Sequence, residues 1–141
     1  MPKFAPIRHN EPFRHPILPS MILVTGGTGF VGREVIRELL ALGYKVRLLV
    51  RNPQRAHFFA NDSRVEIVQG DVLQPETLSA AMANVQSVIH LIGILVETPR
   101  VTYEQAHGEA TRNLLASARQ AGVTRWLQMS AAGTRPGARR D

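Results

Sequence analysis

A doubly wound α/β fold, with five parallel strands in the order 3-2-1-4-5, is predicted by three features of the sequence. An apolar run that begins at Met21 leads directly into a glycine-rich turn, and a helical pattern follows that turn. Further apolar runs then alternate with helical stretches, as they do in βα units. The run at residues 87–91 is almost continuously apolar, which is typical of a central strand that is buried on both faces.

The turn after the first strand is the strongest indication of function. Gly26 is expected to adopt the positive φ of a sharp turn, Gly29 to let the backbone approach a pyrophosphate, and Gly32 to let the next helix lie close to the sheet. Unpaired N–H groups at the start of that helix would then face the phosphates. An ordinary glycine-rich turn is the alternative, but the βα units that follow favour a dinucleotide site. The residues predicted to bind the cofactor here are Gly26, Thr28, Gly29, Phe30, Val31, Gly32 and Arg33.

Apolar periodicity places the remaining strands and the apolar faces of the two long helices. The later strands are expected at residues 45–50, 65–68, 87–91 and 124–129. A short helical or irregular piece is expected at residues 54–60. The predicted apolar face of the first helix comprises Val31, Val35, Leu39 and Leu42, and that of the last helix comprises Ala106, Ala110, Leu114 and Ala118.

Signals at helix ends support these elements. Gly43 is well placed to end the first helix, because glycine readily adopts the left-handed conformation found there. Pro75 fits the first position of a helix at residues 76–83. Thr102 and Gln105 have the spacing of a capping box, which would begin the last long helix.

The residue that follows the second strand bears on the choice of cofactor. Proteins that bind NAD usually have an Asp or Glu there, about 20 residues after the glycines, to bind the ribose 2′-hydroxyl. This sequence has Arg51 at that place, with Arg33 after the glycine turn and Arg55 nearby. A guanidinium would pair with a 2′-phosphate, and no carboxylate is present to repel it. The alternative is that Arg51 is an ordinary surface arginine at a strand end. The arginines, with no carboxylate among them, favour NADP(H) over NAD(H).

The segment Thr-Gly-Gly-Thr-Gly-Phe-Val-Gly at residues 25–32 spaces its glycines as Gly-x-x-Gly-x-x-Gly. In this it resembles the extended and atypical short-chain dehydrogenase/reductases, Rossmann-fold proteins that include NAD-dependent epimerases and dehydratases. The resemblance extends from Met21 to about Gly137. The sequences His-Leu-Ile-Gly-Ile and Gln-Met-Ser-Ala, with the capped helix between them, look most like the branch related to the nucleotide-binding accessory subunit of respiratory complex I.

The resemblance implies roles for residues beyond the glycine turn. Asp71 and Val72 would lie at the adenine, with the alternative that Asp71 merely caps its turn. Ser130 has the position of the serine that hydrogen-bonds the substrate oxygen in the catalytic region. The residues that would run under the pyrophosphate and the nicotinamide ribose are Leu91, Ile92 and Gly93.

Two residues in this part of the chain differ from the resembled family. His107 stands where the family often has Asn, and Ala110 replaces its Gly. These departures leave a role of His107 beside the active site open. His90 lies inside the fourth predicted strand and is interpreted as a satisfied core residue.

Redox turnover in the resembled family needs a Tyr-x-x-x-Lys pair, in which the lysine lowers the tyrosine pKa and orients the ribose. The only tyrosines are Tyr44 and Tyr103, and neither is followed four residues later by lysine. Two explanations are open. The chain could be the N-terminal, cofactor-binding half of a truncated or frame-shifted enzyme that lacks the later strands and the substrate-binding part. Alternatively, it could be a self-sufficient NADP(H)-binding module with a structural or sensing role, such as an accessory subunit of a respiratory or quinone-related complex.

The truncated form is the preferred hypothesis, and it has a consequence for association. The strand from Thr124 to Met129 would form an apolar edge without its usual neighbours. An uncovered apolar edge promotes pairing with another chain. Homo- or hetero-association through this strand is therefore expected.

Composition argues against other classes of function. The net charge is +6, but residues 21–132 carry only +2 of it, and the rest lies in the terminal segments. A nucleic-acid partner is therefore disfavoured, and the aromatic residues are too few for a stacking platform. The chain contains no cysteine and its five histidines are scattered, so no metal site is predicted.

The same composition suggests how the chain is divided and where it acts. Residues 1–20 hold five of the nine prolines and are expected to be a disordered extension, while residues 135–141 are expected to be a disordered basic tail. Residues 21–134 would form the folded domain. No apolar run is long enough to span a bilayer, and the absence of cysteine suits the cytoplasm. A location in the cytoplasm, or at the periphery of a membrane complex, is expected.

Overall fold

The structure, a computed structural model, describes residues 20–94 and 97–131. Their strands form one five-stranded parallel sheet in the order β3-β2-β1-β4-β5, so the predicted topology is confirmed. The predicted extension, apart from residue 20, and the predicted basic tail lie outside the described residues. The strands are β1 (Met21–Thr25), β2 (Lys45–Val50), β3 (Val65–Gln69), β4 (Val85–His90) and β5 (Arg125–Gln128).

Helices cover both faces of the sheet. Helix α1 (Phe30–Ala41) and a 3₁₀ helix (Pro53–Phe59) pack on one face. Helices α2 (Leu78–Met82) and α3 (Ala110–Gln120) pack on the other. Leu23 and Val24, which are adjacent in β1, belong to opposite cores, because successive strand residues point to opposite faces. Within the described residues, no helix is long and apolar enough to cross a membrane.

The buried face of α1 differs from the predicted one. Its buried residues are Gly32, Ile36 and Leu40, whereas Val31 and Leu42 are exposed. The predicted face is therefore displaced by one position, although Val35 and Leu39 are half-buried and Leu39 packs against the same core as Ile36 and Leu40. The predicted end of the helix is confirmed, since Gly43 has a φ of +85°.

Helix α3 is preceded by the predicted capping box. The backbone N–H of Gln105 donates to Thr102 Oγ1 (3.2 Å), and the backbone N–H of Thr102 donates to Gln105 Oε1 (3.1 Å). A turn of π-helix (Glu104–Glu109), which periodicity did not indicate, separates this cap from α3. The predicted face of small residues is confirmed, because Ala106, Ala110, Leu114 and Ala118 are all buried.

The other boundaries shift by a few residues. Strand β4 begins and ends earlier than predicted, and β5 is shorter at both ends. The helix predicted at residues 76–83 is a 3₁₀ turn (Pro75–Thr77) followed by the short α2. Proline begins it as expected, but only five α-helical residues follow.

Candidate functional site

The carboxyl ends of β1 and β4 form the point at which the sheet reverses its strand order. Helices leave these two strands toward opposite faces, so a crevice opens between them, and open α/β sheets bind ligands at such points. The two strand ends are joined by a hydrogen bond between Thr25 Oγ1 and His90 Nδ1 (2.6 Å). The backbone N–H of Leu91 also donates to the carbonyl of Thr25 (3.1 Å).

His90 belongs to the core, as its position in the strand predicts, but it is only half satisfied. Its Nε2 is buried and has no hydrogen-bond partner among the described residues. Burial, and to a smaller extent the nearby His107, lowers the pKa of His90 to about 4. The imidazole is therefore neutral near pH 7, which suits a side chain that links two central strands.

The glycine turn has the geometry of a tight strand-to-helix connection. Gly26 has a φ of +73°, as predicted. A Cβ on Gly32 would overlap the carbonyl oxygen of Gly26 and would lie 2.5 Å from the Cα of Gly27. Gly32 thus lets the helix approach the turn itself, rather than the sheet. A Cβ on Gly27 would meet the side chains of Leu48 and Ile36, a constraint that the sequence reasoning did not identify.

Gly29, in contrast, has only one close neighbour beyond its adjacent residues. It is the N-cap of α1, and a Cβ built on it would meet only the carbonyl oxygen of Gly26, at 3.3 Å. No side chain caps this helix, and its first turn contains no acidic residue. The helix start can therefore receive an anion. Phe30 is 91 % exposed and Val31 is also exposed, so these two predicted residues would contribute through the backbone.

The larger of two adjoining cavities has a volume of about 540 Å³ and lies beside the crevice. Six predicted cofactor residues line it: Gly26, Thr28, Arg51, Asp71, Val72 and Ile92. The other lining residues were not predicted, and they include Leu49 and Val50 at the end of β2 and Gln105, Ala106 and Ala110 at the start of the last helix. The cavity therefore brings together residues at the carboxyl ends of four strands, β1 to β4.

Asp71 fits both interpretations of its role. Its Oδ1 accepts a hydrogen bond from the backbone N–H of Leu73 (2.9 Å), which is the capping alternative. The same residue also lines the larger cavity. Val72 is held in place because Asn113 Nδ2 donates to its carbonyl oxygen (2.9 Å).

The smaller cavity, of about 480 Å³, continues the groove past the glycine turn. Its lining contains two arginines, Arg33 and Arg55, and no carboxylate. It shares three residues with the larger cavity, and its complete lining is Thr28, Gly29, Arg33, Asn52, Gln54, Arg55, His57 and Phe58.

The structure separates the arginines that sequence reasoning grouped together. Arg51 lines the larger cavity, Arg33 lines the smaller one, and Arg55 lines both. Arg33 Nε donates to the carbonyl of Thr28 (3.2 Å), and its guanidinium carbon lies 4.0 Å from the ring centroid of Phe58. None of the ion pairs among the described residues involves Arg33, Arg51 or Arg55.

The remaining predicted residues do not line either cavity. The carbonyl of Leu91 packs under Gly26. Gly93 packs against His107, whose Nε2 lies within hydrogen-bond distance of the backbone N and O of Ile94 (3.2 and 3.1 Å). Ser130 is exposed beyond β5. In the part of the chain that the structure describes, no three His, Asp or Glu residues lie close enough to hold a metal ion.

Comparison with known proteins gives the family of this chain. A family described as NAD(P)H-binding matches residues 26–141. Photosystem II assembly factor Ycf39 from Synechocystis sp. (strain ATCC 27184 / PCC 6803 / Kazusa) is 34% identical over 109 residues, which are 77% of this chain and 33% of that protein.

Two solved structures are similar and carry bound cofactor. A uronate dehydrogenase variant from Agrobacterium tumefaciens, complexed with NAD, has a TM-score of 0.65 at 32% identity, over 79% of this chain and 41% of that one. NADPH-dependent quinone oxidoreductase QOR2 from Escherichia coli, complexed with NADPH, has a TM-score of 0.65 at 26% identity, over 77% of this chain and 36% of that one.

These matches confirm the family resemblance. The chain spans about a third of the length of the curated relative. Its fold corresponds to part of these longer proteins. The chain belongs to the NAD(P)H-binding family, and it is an NAD(P)-binding Rossmann domain of the extended short-chain dehydrogenase/reductase, epimerase/dehydratase-like type.

Proposed function

We propose that this domain binds NADP(H) in preference to NAD(H). One observation carries the preference: the cavity beside the glycine turn is lined by Arg33 and Arg55 and by no carboxylate. A ribose 2′-hydroxyl is usually bound by Asp or Glu, whereas a 2′-phosphate is accommodated by Arg. Similar structures carry either NAD or NADPH, so the proposal rests on the arginines of this chain.

The proposed pose uses the whole groove. Adenine occupies the larger cavity near Asp71 and Val72, and the 2′-phosphate enters the smaller one. The pyrophosphate meets the backbone from Gly29 to Gly32. The nicotinamide ribose lies over the segment after β4, which contains Leu91, Ile92 and Gly93.

We expect wild-type protein to bind NADPH at least about tenfold more tightly than NADH, because charge-assisted hydrogen bonds to the 2′-phosphate are worth roughly 1.5–3 kcal/mol each. Arg55→Glu should lower NADPH affinity and reduce this ratio, and Arg51→Glu should do so to a smaller extent, because Arg51 lines only the adjoining larger cavity. Calorimetric titration of both cofactors measures the effect. Arg119→Glu, at an exposed site near the end of α3, is the charge-matched control and should leave the ratio unchanged.

The 2′-phosphate assignment is wrong if wild-type protein prefers NADH. It is also wrong if neither cavity substitution changes the ratio of the two affinities. A change with Arg55→Glu alone would mean that Arg51, which lines only the larger cavity, is not a ligand of the 2′-phosphate.

We further propose that this chain does not transfer hydride on its own. Proton transfer in the family needs the Tyr-x-x-x-Lys pair, which the 141 residues do not contain. Ser130 alone cannot supply the proton or orient the nicotinamide ribose. The chain would then be the cofactor-binding part of a longer reductase- or epimerase-like protein. Other parts of that protein would determine its substrate specificity.

The second candidate is a self-sufficient NADP(H)-binding module with a structural or sensing role. The observation that favours it is the similarity to Ycf39, whose name describes an assembly factor. A kinship with the complex I accessory subunit, and a place in the cytoplasm at the periphery of a membrane complex, belong to this candidate. They rest on the sequence resemblance alone.

Self-association through β5 distinguishes these candidates. Among the described strands, β5 pairs only with β4, and Leu127 and Met129 are 56 % and 44 % exposed. We expect dimers or larger species in sedimentation velocity experiments, because an apolar strand edge pairs readily. Leu127→Lys should shift the protein toward monomer, whereas Leu42→Lys, at an exposed leucine remote from β5, should not.

A wild-type protein that sediments as one stable monomeric species would contradict the association proposal. That result would favour the self-sufficient module, since an exposed edge that does not associate is compatible with an independent domain.

A further inference from the structure

The 3₁₀ helix after β2 presents a stripe of residues to the smaller cavity. A 3₁₀ helix has three residues per turn, so residues i and i+3 lie above one another. Asn52, Arg55 and Phe58 have this spacing, and all three line the cavity. Ala56 and Phe59 form the opposite stripe and are buried in the core. The helix is anchored on one side, and its other side faces the ligand groove.

The start of this helix is fixed by its own cap. Asn52 Oδ1 accepts a hydrogen bond from the backbone N–H of Gln54 (3.0 Å), and Pro53 occupies the first helical position. The carbonyl of Asn52 also accepts from the N–H of Arg55 (3.1 Å). These contacts hold the backbone from which Arg55 and Phe58 extend.

Phe58 contacts Arg33 across the cavity. The Arg33 guanidinium is fixed by two contacts, one from its Nε to the carbonyl of Thr28 and one from its face to the Phe58 ring. Phe58 is half-exposed, although its neighbour Phe59 is buried. An aromatic ring that remains at the surface in contact with an arginine contributes more to the orientation of that arginine than to the core.

We propose that Phe58 is a positioning residue for the 2′-phosphate of NADP(H), a role that rests on the proposed cofactor preference. The ring holds the flat guanidinium of Arg33 beside the glycine turn, in the cavity that Arg55 also lines. Arginine loses considerable side-chain freedom when it is immobilised, and a guanidinium that is already held loses less of it on binding. Phe58 thus raises affinity for the 2′-phosphate without contacting it.

Phe58→Leu tests this role in the full chain, because it retains apolar bulk but removes the aromatic face. We expect affinity for NADPH and for adenosine 2′-monophosphate to fall roughly five- to tenfold. Affinity for NADH and adenosine 5′-monophosphate should stay within about twofold of wild type. Phe58→Tyr, which keeps the ring, should restore the wild-type NADPH affinity.

Two further variants make the test specific. Leu42→Ala is the control, since Leu42 is also an exposed apolar side chain but lines neither cavity. In an Arg33→Ala background, Phe58→Leu should cause no further loss of NADPH affinity, because the residue that it positions is absent.

The possible outcomes separate the two proposals. If Phe58→Leu weakens NADPH and NADH equally, its role is structural and the positioning proposal is overturned. If Arg33→Ala weakens NADPH but Phe58→Leu does not, the positioning proposal fails and the cofactor preference stands. If wild-type protein shows no preference for NADPH, the preference itself fails, and the positioning proposal fails with it.

Discussion

Replacement of Gly29 by valine is expected to abolish dinucleotide binding while the domain stays folded. Gly29 has a φ of −76° and a ψ of 175°, a conformation that any residue can adopt. Its new Cβ would make one tight contact, at 3.3 Å from the carbonyl oxygen of Gly26, which requires a shift of only a few tenths of an ångström. The valine methyl groups would instead occupy the space in which a pyrophosphate approaches the start of α1.

The expected loss of affinity is on the order of 100-fold or more, because at least two charge-assisted hydrogen bonds to phosphate would be lost. The cost in stability should be only about 1 kcal/mol, since valine is a poorer N-cap than glycine. Fluorescence titration with NADPH and NADH, beside circular dichroism of the same samples, separates the two effects. If the folded variant binds both cofactors normally, the pyrophosphate does not lie at this turn.

Gly32→Val, unlike Gly29→Val, is expected to unfold or severely destabilise the domain. Its Cβ would overlap backbone atoms of Gly26 and Gly27, and backbone in a tight turn cannot move aside as a flexible side chain can. We expect a loss of about 3 kcal/mol or more from the free energy of unfolding, at the upper end of overpacking effects.

Urea denaturation measures this loss. Glu38→Val is the control within the same helix, because Glu38 is exposed and its replacement costs only helix propensity, about 0.5 kcal/mol. An unchanged unfolding midpoint for Gly32→Val would show that α1 can move away from the turn. Gly32 would then have no packing role.

Elements whose signals are local in the chain were predicted well. Strand β2 has the predicted bounds, and the capping box at Thr102 and Gln105 forms both of its hydrogen bonds. The predicted face of α1 was displaced by one position because Val35 and Leu39 have the same apolar spacing as Ile36 and Leu40, and periodicity alone does not choose between the two pairs. The turn of π-helix was not predicted. The buried residues Ala106 and Ala110 keep the four-residue spacing of an α-helix, so the apolar pattern does not reveal the wider turn.

The candidate site was predicted in outline from the glycine turn and from the strand ends. The smaller cavity could not be predicted, because it depends on how the 3₁₀ helix packs against α1. The spacing of Asn52, Arg55 and Phe58 was present in the sequence, but three residues at a period of three are too few to distinguish a 3₁₀ helix from a loop. The assignment of Arg55 to both cavities follows only from the three-dimensional arrangement.

The hydrogen bond between Thr25 and His90 has a consequence for binding kinetics. It joins the two strand ends that border the crevice, and it is buried, so the distance between the walls is set when the sheet forms. A dinucleotide then meets a crevice of nearly final width and orders little backbone on arrival. Rapid association is expected, with residence time governed by how slowly the phosphates leave the glycine turn and the arginines.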